Sequence, residues 1–253
     1  MFKIPNCVVT DHFMSQKVVG SFAKGINTTP ININKFRDFS KPLATYGILR
    51  GTGDLFHKIK DFYYIDHGYF SSSSRSFEQG KTFIESFDGY FRVVKNDFFH
   101  SGKGNCKSDR FDKLNMQIKE KRNSGEFIIL SEPSIYVKKF FQLDDWVKKT
   151  IVEIEKYTDR RIYVHNKQSK VPLDSLLNKA WAFVSDQSTA GFKAMLAGVP
   201  AHFTNKTLKE INSIKEIENG DINTNIFYNL AYGQWTLNEM QSGETWEYIK
   251  KFN

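Results

Sequence analysis

The order of apolar and polar residues in the first half of the chain alternates between two periods. Short apolar runs of strand type are followed by turn residues and then by stretches with apolar residues at helical spacing. The predicted strands are 6–10, 45–49, 62–66 and 90–95, and the predicted helices are 15–25 and 54–61.

The second half repeats this alternation after a charged, glycine-containing stretch at 101–125, which we interpret as a linker. Its predicted strands are 126–130, 161–165, 182–185 and 199–203, and its predicted helices are 144–157, 173–179 and 188–197. The last residues, 226–252, carry apolar and aromatic side chains at helical spacing.

Strands that alternate with helices pair in parallel through crossover connections. The sequence therefore predicts an α/β protein of two doubly wound, Rossmann-like lobes with a cleft between them. We expect an N-terminal lobe at 1–120, a second lobe at 121–225, and terminal helices at 226–253 that pack back across the lobes. Ligands of such sheets bind at the carboxyl ends of the strands.

Composition agrees with a folded protein, because 40% of the 253 residues are apolar and 25% are charged. No run approaches the roughly 18 apolar residues of a membrane span, and residues 1–10 lack the apolar core of a signal peptide. We therefore expect a soluble, cytoplasmic protein with no membrane partner. Cys7 and Cys106 have no CxxC or Cys/His neighbour at ligand spacing, so we interpret them as reduced thiols and predict no metal site.

The net charge of +8 is unevenly distributed along the sequence. Residues 1–125 contain 20 Lys and Arg against 12 Asp and Glu, while residues 126–253 contain 16 of each. Such an excess suits a polyanionic partner, above all nucleic acid. The alternative is a solvated basic surface.

The strongest local pattern lies at 181–200 and reads WAFVSDQSTAGFKAMLAGVP. An apolar strand leads through a polar turn to Ser188 and Thr189, which open a helix rich in small residues. The free N–H groups of a first helical turn and the helix dipole can bind phosphate. The alternative is that Ser188 only caps the helix.

This segment resembles the donor-binding segment of GT-B glycosyltransferases, especially those of capsule and surface-polysaccharide synthesis, and the resemblance extends over about 131–203. It implies a GT-B-like fold and a donor diphosphate held by Ser188 and Thr189. It also implies that His165 and Lys167, after the strand 161–165, approach the donor, although Lys167 could equally be a solvated loop residue. One position departs from the pattern, because Lys193 stands where many relatives carry a ribose-binding Glu.

In the first half, the segment RGTGD at 50–54 places Arg50 and Gly51 in a glycine-flanked turn before a helix. Such a turn can hold an anion, and the Arg50 guanidinium can bind phosphate through two parallel hydrogen bonds. We predict donor-phosphate binding here. A simple tight turn explains the pattern equally well.

Candidate general bases follow two of the strands. Asp66 and His67 lie at the end of the aromatic strand FYYIDHGYF, where either side chain could take a proton from an acceptor hydroxyl. The alternative is that Asp66 caps the turn and His67 packs between the lobes. Asp11 and His12 repeat the arrangement after the first strand and form our second candidate pair.

Basic and aromatic residues interleave at 89–100, in GYFRVVKNDFFH. Together with Tyr69, the side chains of Arg92, Lys95 and His100 could contact acceptor phosphates and a stacked base. The alternative is an ordinary strand in which Arg92 faces solvent.

The terminal segment resembles the ends of phage-encoded proteins of similar size. Together the two resemblances imply a metal-independent glycosyltransferase without a bound cofactor, using a nucleotide-sugar, most simply a UDP-sugar, in the cytoplasm of an infected bacterium. The basic excess and the resemblance to phage-encoded proteins together lead us to expect a modified base of double-stranded DNA, such as a hydroxymethylated pyrimidine, as the acceptor, and we infer no obligate protein partner. The alternatives are a glycan acceptor and a noncatalytic module that binds nucleotide or nucleic acid.

Overall fold

The computed structural model describes residues 3–72, 75–78, 82–85, 87–99, 104–208 and 211–252. The chain forms two compact units. Unit 1 comprises Met1–Leu114 and Tyr228–Asn253, and unit 2 comprises Asn115–Phe227. The terminal segment is thus part of unit 1, and the first boundary falls within the segment predicted as a linker.

Short strands and helices alternate through most of the described chain. The strands are β1 (Asn6–Val9), β2 (Ile31–Asn32), β3 (Leu43–Tyr46), β4 (Phe62–His67), β5 (Arg75–Glu78), β6 (Thr82–Glu85), β7 (Phe91–Lys95), β8 (Phe127–Ser131), β9 (Arg161–His165), β10 (Ala180–Ser185), β11 (Ala201–Phe203) and β12 (Gln234–Trp235). The helices are α1 (Phe13–Gly25), α2 (Thr52–Lys58), α3 (Asp109–Asp112), α4 (Ile135–Phe141), α5 (Trp146–Ile154), α6 (Leu173–Leu177), α7 (Thr189–Leu196), α8 (Asn225–Ala231), α9 (Leu237–Ser242) and α10 (Glu244–Phe252).

The main sheet of unit 1 has six strands in the order β12-β7-β4-β3-β1-β2. Strands β1, β3 and β4 pair in parallel, as predicted, and the short strand β2, which was not predicted, pairs in parallel with β1. Strand β7 departs from the expected parallel pairing and lies antiparallel to β4. The described chain between them contains the β5–β6 hairpin rather than a crossover helix, and a parallel pair requires a crossover.

Both faces of this sheet are covered by aromatic and aliphatic side chains. On one face, Phe22 of α1 and Trp246 of α10 pack against Tyr63 of β4. On the other, Phe56 of α2 packs against Tyr64. Since successive residues of a strand point to opposite faces, Tyr63 and Tyr64 anchor the two layers separately.

Arg110 attaches α3 to the C-terminal segment of unit 1. Its guanidinium donates to the carbonyls of Ala231 and Gln234, pairs with Glu239 at 2.8 Å, and lies 4.4 Å from the centre of the Trp235 ring. One side chain thereby links α3 to the terminal strand and helices of unit 1.

Unit 2 contains a fully parallel four-stranded sheet in the order β11-β10-β8-β9. Trp146 and Ile154 of α5 cover one face, and Phe192 of α7 packs near Phe203 of β11. The predicted α/β class, with parallel-dominated sheets, is confirmed. No helix in the described parts of either unit combines the length and apolar character that crossing a membrane requires.

The two sheets share one strand order. Numbered by their parallel strands in chain order, both read 2-1-3-4, as β2-β1-β3-β4 in unit 1 and β9-β8-β10-β11 in unit 2. In this order the connections from the first and third strands leave in opposite directions, which opens a crevice at their carboxyl ends. The crevices therefore lie beside the loops after β1 and β3 and the loops after β8 and β10.

The C-terminal end of α1 packs closely against the backbone of α9 at Gly25. A Cβ built on Gly25 would lie 1.8 Å from the Met240 carbonyl oxygen, whereas one on Gly20 meets nothing within 4 Å. We expect Gly25→Ala to lower the free energy of unfolding by about 1–3 kcal/mol through overpacking. In the matched control, Gly20→Ala should raise it by about 0.5–1 kcal/mol, since alanine favours a helix interior. Urea denaturation measures both, and an unchanged midpoint for Gly25→Ala would contradict the close approach.

Candidate functional site

The unit 1 crevice forms a cleft of about 430 Å³ at the carboxyl ends of β1, β2 and β3. That volume lies within the range of small-molecule sites. The structure here brings together Asp11, His12 and Arg50, which the sequence placed in two separate motifs. The lining residues are Thr10, Asp11, His12, Ile33, Asn34 and Arg50.

The Asp11 carboxylate is exposed at this cleft and held on one side. Its Oδ1 accepts a hydrogen bond of 2.7 Å from Asn32 Nδ2. The Asn32 amide is itself oriented, because its Oδ1 accepts from the Asn34 backbone N–H at 2.9 Å. Asn32, which the sequence analysis did not single out, therefore fixes one Asp11 oxygen, and among the residues that the structure describes Oδ2 has no hydrogen-bond donor.

His12 lies between Asp11 and the first turn of α1, where it occupies the position before the helix. Its backbone N–H donates to Thr10 Oγ1 at 3.4 Å, and its half-buried ring lies 4.5 Å from that of Phe13. The imidazole thus lines the cleft while packing on a neighbouring ring.

The loop after β3 brings Arg50 to the same cleft in an unusual backbone conformation. Arg50 has φ of 60° and Gly51 has φ of 86°, which is the left-handed region. Buried Thr52 closes the turn by donating from its hydroxyl to the Gly47 and Leu49 carbonyls at 2.8 Å. This segment therefore forms a tight turn, and the same turn exposes the Arg50 side chain at the cleft.

Asp66 is engaged in an ion pair with Arg92. Its Oδ2 lies 3.1 Å from Arg92 Nη2 and accepts from the Tyr64 hydroxyl at 2.6 Å, while Oδ1 accepts from the His67 backbone N–H at 2.8 Å. Both carboxylate oxygens therefore have protein donors. Asp11 is exposed at the cleft, whereas both Asp66 oxygens are engaged by protein donors, so the geometry favours Asp11 over Asp66 as the carboxylate that an acceptor hydroxyl can reach.

Arg92 does not have the exposed position predicted for an acceptor contact. Its side chain is 9% exposed and lies over the rings of Tyr64, Tyr69 and Phe99 at 5.1–5.7 Å. Both expectations, phosphate binding and a solvated strand residue, are wrong, because strand alternation points Arg92 at a buried aromatic cluster that also contains its counterion.

The other predicted acceptor residues are not gathered at one place. Tyr69 is buried and donates its hydroxyl to the Phe99 carbonyl, and burial raises the pKa of its phenol. Lys95 pairs in register with Tyr63, at the opposite end of β4 from Asp66. His100 lies outside the described residues. The predicted acceptor role is therefore wrong for Tyr69, whose side chain is buried, while that of Lys95 stays a prediction.

The unit 2 crevice contains the start of α7. Ser188 precedes the helix, its Oγ accepts from the Ala190 N–H at 3.2 Å, and its own N–H donates to Ser185 Oγ at 3.4 Å. Ser188 therefore caps α7, which is the alternative interpretation given in the sequence analysis. Thr189 is half-buried in the first turn, beside the carboxyl end of β10.

His165 is the last residue of β9 and Lys167 lies in the loop after it; β9 neighbours β8 at the edge of the same sheet. His165 Nε2 lies 3.2 Å from the Val171 carbonyl, and Lys167 is exposed. Lys193 forms an ion pair with Asp174 at 2.6 Å. Its charge is therefore already matched by a carboxylate.

Two acidic residues that sequence analysis missed end the central strands of this crevice. Asp186 follows β10, is 6% exposed, and accepts from the Thr204 hydroxyl at 2.8 Å; Trp146 Nε1 in turn donates to Thr204 at 2.7 Å. Burial raises the pKa of Asp186. Glu132 follows β8, and hydrogen bonds from Asn166 and Lys138 lower its pKa. The only sequence signal was their position directly after predicted strands.

Within the described ranges, no three His, Cys, Asp or Glu side chains are placed to share a metal ion. No protein-family model and no curated protein matches the chain.

Comparison with solved structures finds Thermosulfurimonas dismutans KpsC, described as a beta Kdo 2,4 transferase, with 11% identity over 92% of each chain and a TM-score of 0.49. We assign the α/β fold from the strand order given above.

We expect Asp66→Asn to destabilise unit 1. Removing one partner of a buried ion pair costs about 3–5 kcal/mol, and the 25% exposure of Asp66 reduces our expectation to about 2 kcal/mol. The control is Asp61→Asn at an exposed position, which should change the free energy by less than about 0.5 kcal/mol. A wild-type urea midpoint for Asp66→Asn would return Asp66 to the list of candidate bases.

A pH series tests the environment of Asp186. Because its pKa is raised on folding, the native state binds the proton more tightly, and wild-type stability falls as pH rises from the ordinary carboxyl pKa through the raised one. Asp186→Asn removes this loss, so its stability relative to wild type should increase from pH 4 to pH 7 in urea denaturation. A constant difference across that range would contradict a raised pKa.

Proposed function

We propose that the chain is a glycosyltransferase that moves a sugar from a nucleotide-sugar to an acceptor hydroxyl. The observation that carries the proposal is the repeated 2-1-3-4 strand order. In unit 2 the crevice is bordered by a helix start with hydroxyl groups, and in unit 1 by a carboxylate, an imidazole and a guanidinium. The resemblance of 181–200 to donor-binding segments supports a donor site in unit 2, which leaves the unit 1 crevice for the acceptor.

For the donor, the groups at the start of α7 suit a diphosphate. The Thr189 hydroxyl can donate to a phosphate oxygen, and the helix dipole favours the negative charge. Lys167 and His165, at the end of the neighbouring strand β9, can also donate hydrogen bonds to the donor. As the nucleoside diphosphate leaves the sugar, such donors offset the charge that develops on it.

For the acceptor, we propose Asp11 as the general base. Asn32 occupies Oδ1, which leaves Oδ2 to accept the proton of the hydroxyl that attacks the anomeric carbon. His12 is the second candidate, since its ring lines the same cleft. Arg50 can orient an anionic group of either substrate.

The proposed acceptor is a hydroxymethylated base of duplex DNA, with a glycan as the alternative. The support for DNA is the net charge of +8, but the charge divides between the structural units more evenly than between the sequence halves. Unit 1 has 19 basic and 14 acidic residues and unit 2 has 17 and 14. The basic excess thus does not mark unit 1 as a DNA surface, and both acceptors enter the test.

The test begins with thermal shifts against UDP, GDP, ADP, CMP and their sugar conjugates. A ligand at 100 times its Kd adds about 2.7 kcal/mol, or roughly 5–10 °C, and we expect this for a UDP-sugar. Thr189→Val should reduce the shift and the exposed control Ser175→Ala should keep it. Turnover is then measured with hydroxymethylated duplex DNA and with glycans, including acceptors for an activated Kdo.

In the turnover assay, Asp11→Asn should lower kcat by roughly 10² to 10⁴ while the thermal shift persists. Asn32→Ala should lower kcat roughly tenfold, the equivalent of one hydrogen bond. A loss below tenfold for Asp11→Asn would remove it as the base. Absence of both shifts and turnover with every donor would favour the noncatalytic module.

A further inference from the structure

Helix α4 lies on the surface of unit 2 without a buried residue. It directly follows the loop after β8, and its sequence is IYVKKFF. The side chains of Ile135 and Tyr136 are 75% and 61% exposed, the largest exposures among the large apolar residues of the described chain. One turn further along the same face lies exposed Lys139.

A second loop lies beside α4. Glu132 accepts hydrogen bonds from Lys138 of α4 and from Asn166 after β9, which ties the two segments together. This loop presents exposed Lys167 and Lys170 and the apolar residue Val171, itself 38% exposed. We call this combined region the α4 surface, which comprises Ile135, Tyr136, Lys139, Lys170 and Val171.

The α4 surface combines positive charge with exposed apolar side chains, and both features suit an anionic lipid layer. Across 132–142 and 165–171 there are four lysines and one glutamate, and the Glu132 charge is already paired with Lys138. Lysines next to exposed aliphatic and aromatic side chains are typical of segments that lie at a membrane interface.

Two other occupants fit less well. Nucleic acid would pair with the lysines, but its phosphate backbone offers nothing to an exposed isoleucine. A stable protein interface buries roughly 800 Å² on each partner, far more than three exposed apolar side chains supply.

We propose that the α4 surface binds the surface of a membrane that contains anionic lipid. This binding requires no spanning helix, and it departs from the sequence prediction of no membrane partner, which considered only spanning segments and signal peptides. If the proposed transferase activity holds, on which this consequence rests, then binding at a membrane favours the glycan alternative, carried on a lipid, over duplex DNA as the acceptor. The crevice that holds the donor then opens at the same sheet edge as α4.

The experiment is co-sedimentation of the full chain with vesicles of phosphatidylcholine alone or with an equal part of phosphatidylglycerol. We expect at least tenfold tighter binding to the anionic vesicles, weakened by 0.5 M salt because the lysine contribution is screened. The double variant Ile135→Ser/Tyr136→Ser should bind at least fivefold more weakly. The matched control Val152→Ser changes an apolar residue that is 53% exposed on α5, and it should bind like wild type.

Wild-type protein that stays in solution with anionic vesicles would overturn the proposal, as would equal binding by the double variant. The same samples are offered duplex DNA. Binding to DNA that is lost in Lys139→Glu/Lys170→Glu, without vesicle binding, would assign the surface to nucleic acid instead. Because no donor or turnover is needed, the result is independent of whether the chain proves to be a transferase.

Discussion

The placement of the candidate groups in the two crevices follows from the way parallel strands are connected. A parallel pair needs a crossover, crossovers have one hand, and a change in their direction leaves two neighbouring loops open at the carboxyl edge of the sheet. Both units have the order 2-1-3-4, so each has one such opening. Asp11 and Arg50, 39 residues apart in sequence, come together for this reason.

Polar residues at a strand end do not all serve the crevice. Asp66 also ends a parallel strand, but β7 lies beside β4 and presents Arg92 to it. The resulting ion pair is surrounded by Tyr64, Tyr69 and Phe99, which seat the guanidinium in an aromatic environment. Charge that is compensated inside a cluster stabilises the arrangement of strands and is unavailable to a substrate. Asp11 differs because its partner Asn32 is neutral and leaves one oxygen open.

The distribution of charge in the folded protein also differs from its distribution along the sequence. Counted along the sequence, the basic excess belongs to the first half, but the terminal segment returns to unit 1 with three acidic and two basic residues. The two units therefore carry +5 and +3. The net charge of a unit therefore does not identify a binding surface. A local combination of side chains does so, as in the α4 surface, where lysines lie beside exposed apolar side chains.

The sequence by itself determined the elements whose side chains carry a clear period. Strand β9 lies at 161–165 as predicted, and α7 differs from its predicted range by one residue at each end. Periodicity and capping are local, so the chain shows them directly. It also identified Asp11, His12 and Arg50 as separate candidates.

Only the tertiary structure decided which of these candidates meet. Strands β2 and β12 are two residues long and carry no period, yet β2 supplies Asn32 to Asp11 and β12 completes the sheet beside β7. The burial of Arg92 depends on a carboxylate 26 residues earlier and on rings from two other segments. Such contacts join residues through the sheet rather than along the chain, and no local pattern of hydrophobicity encodes them.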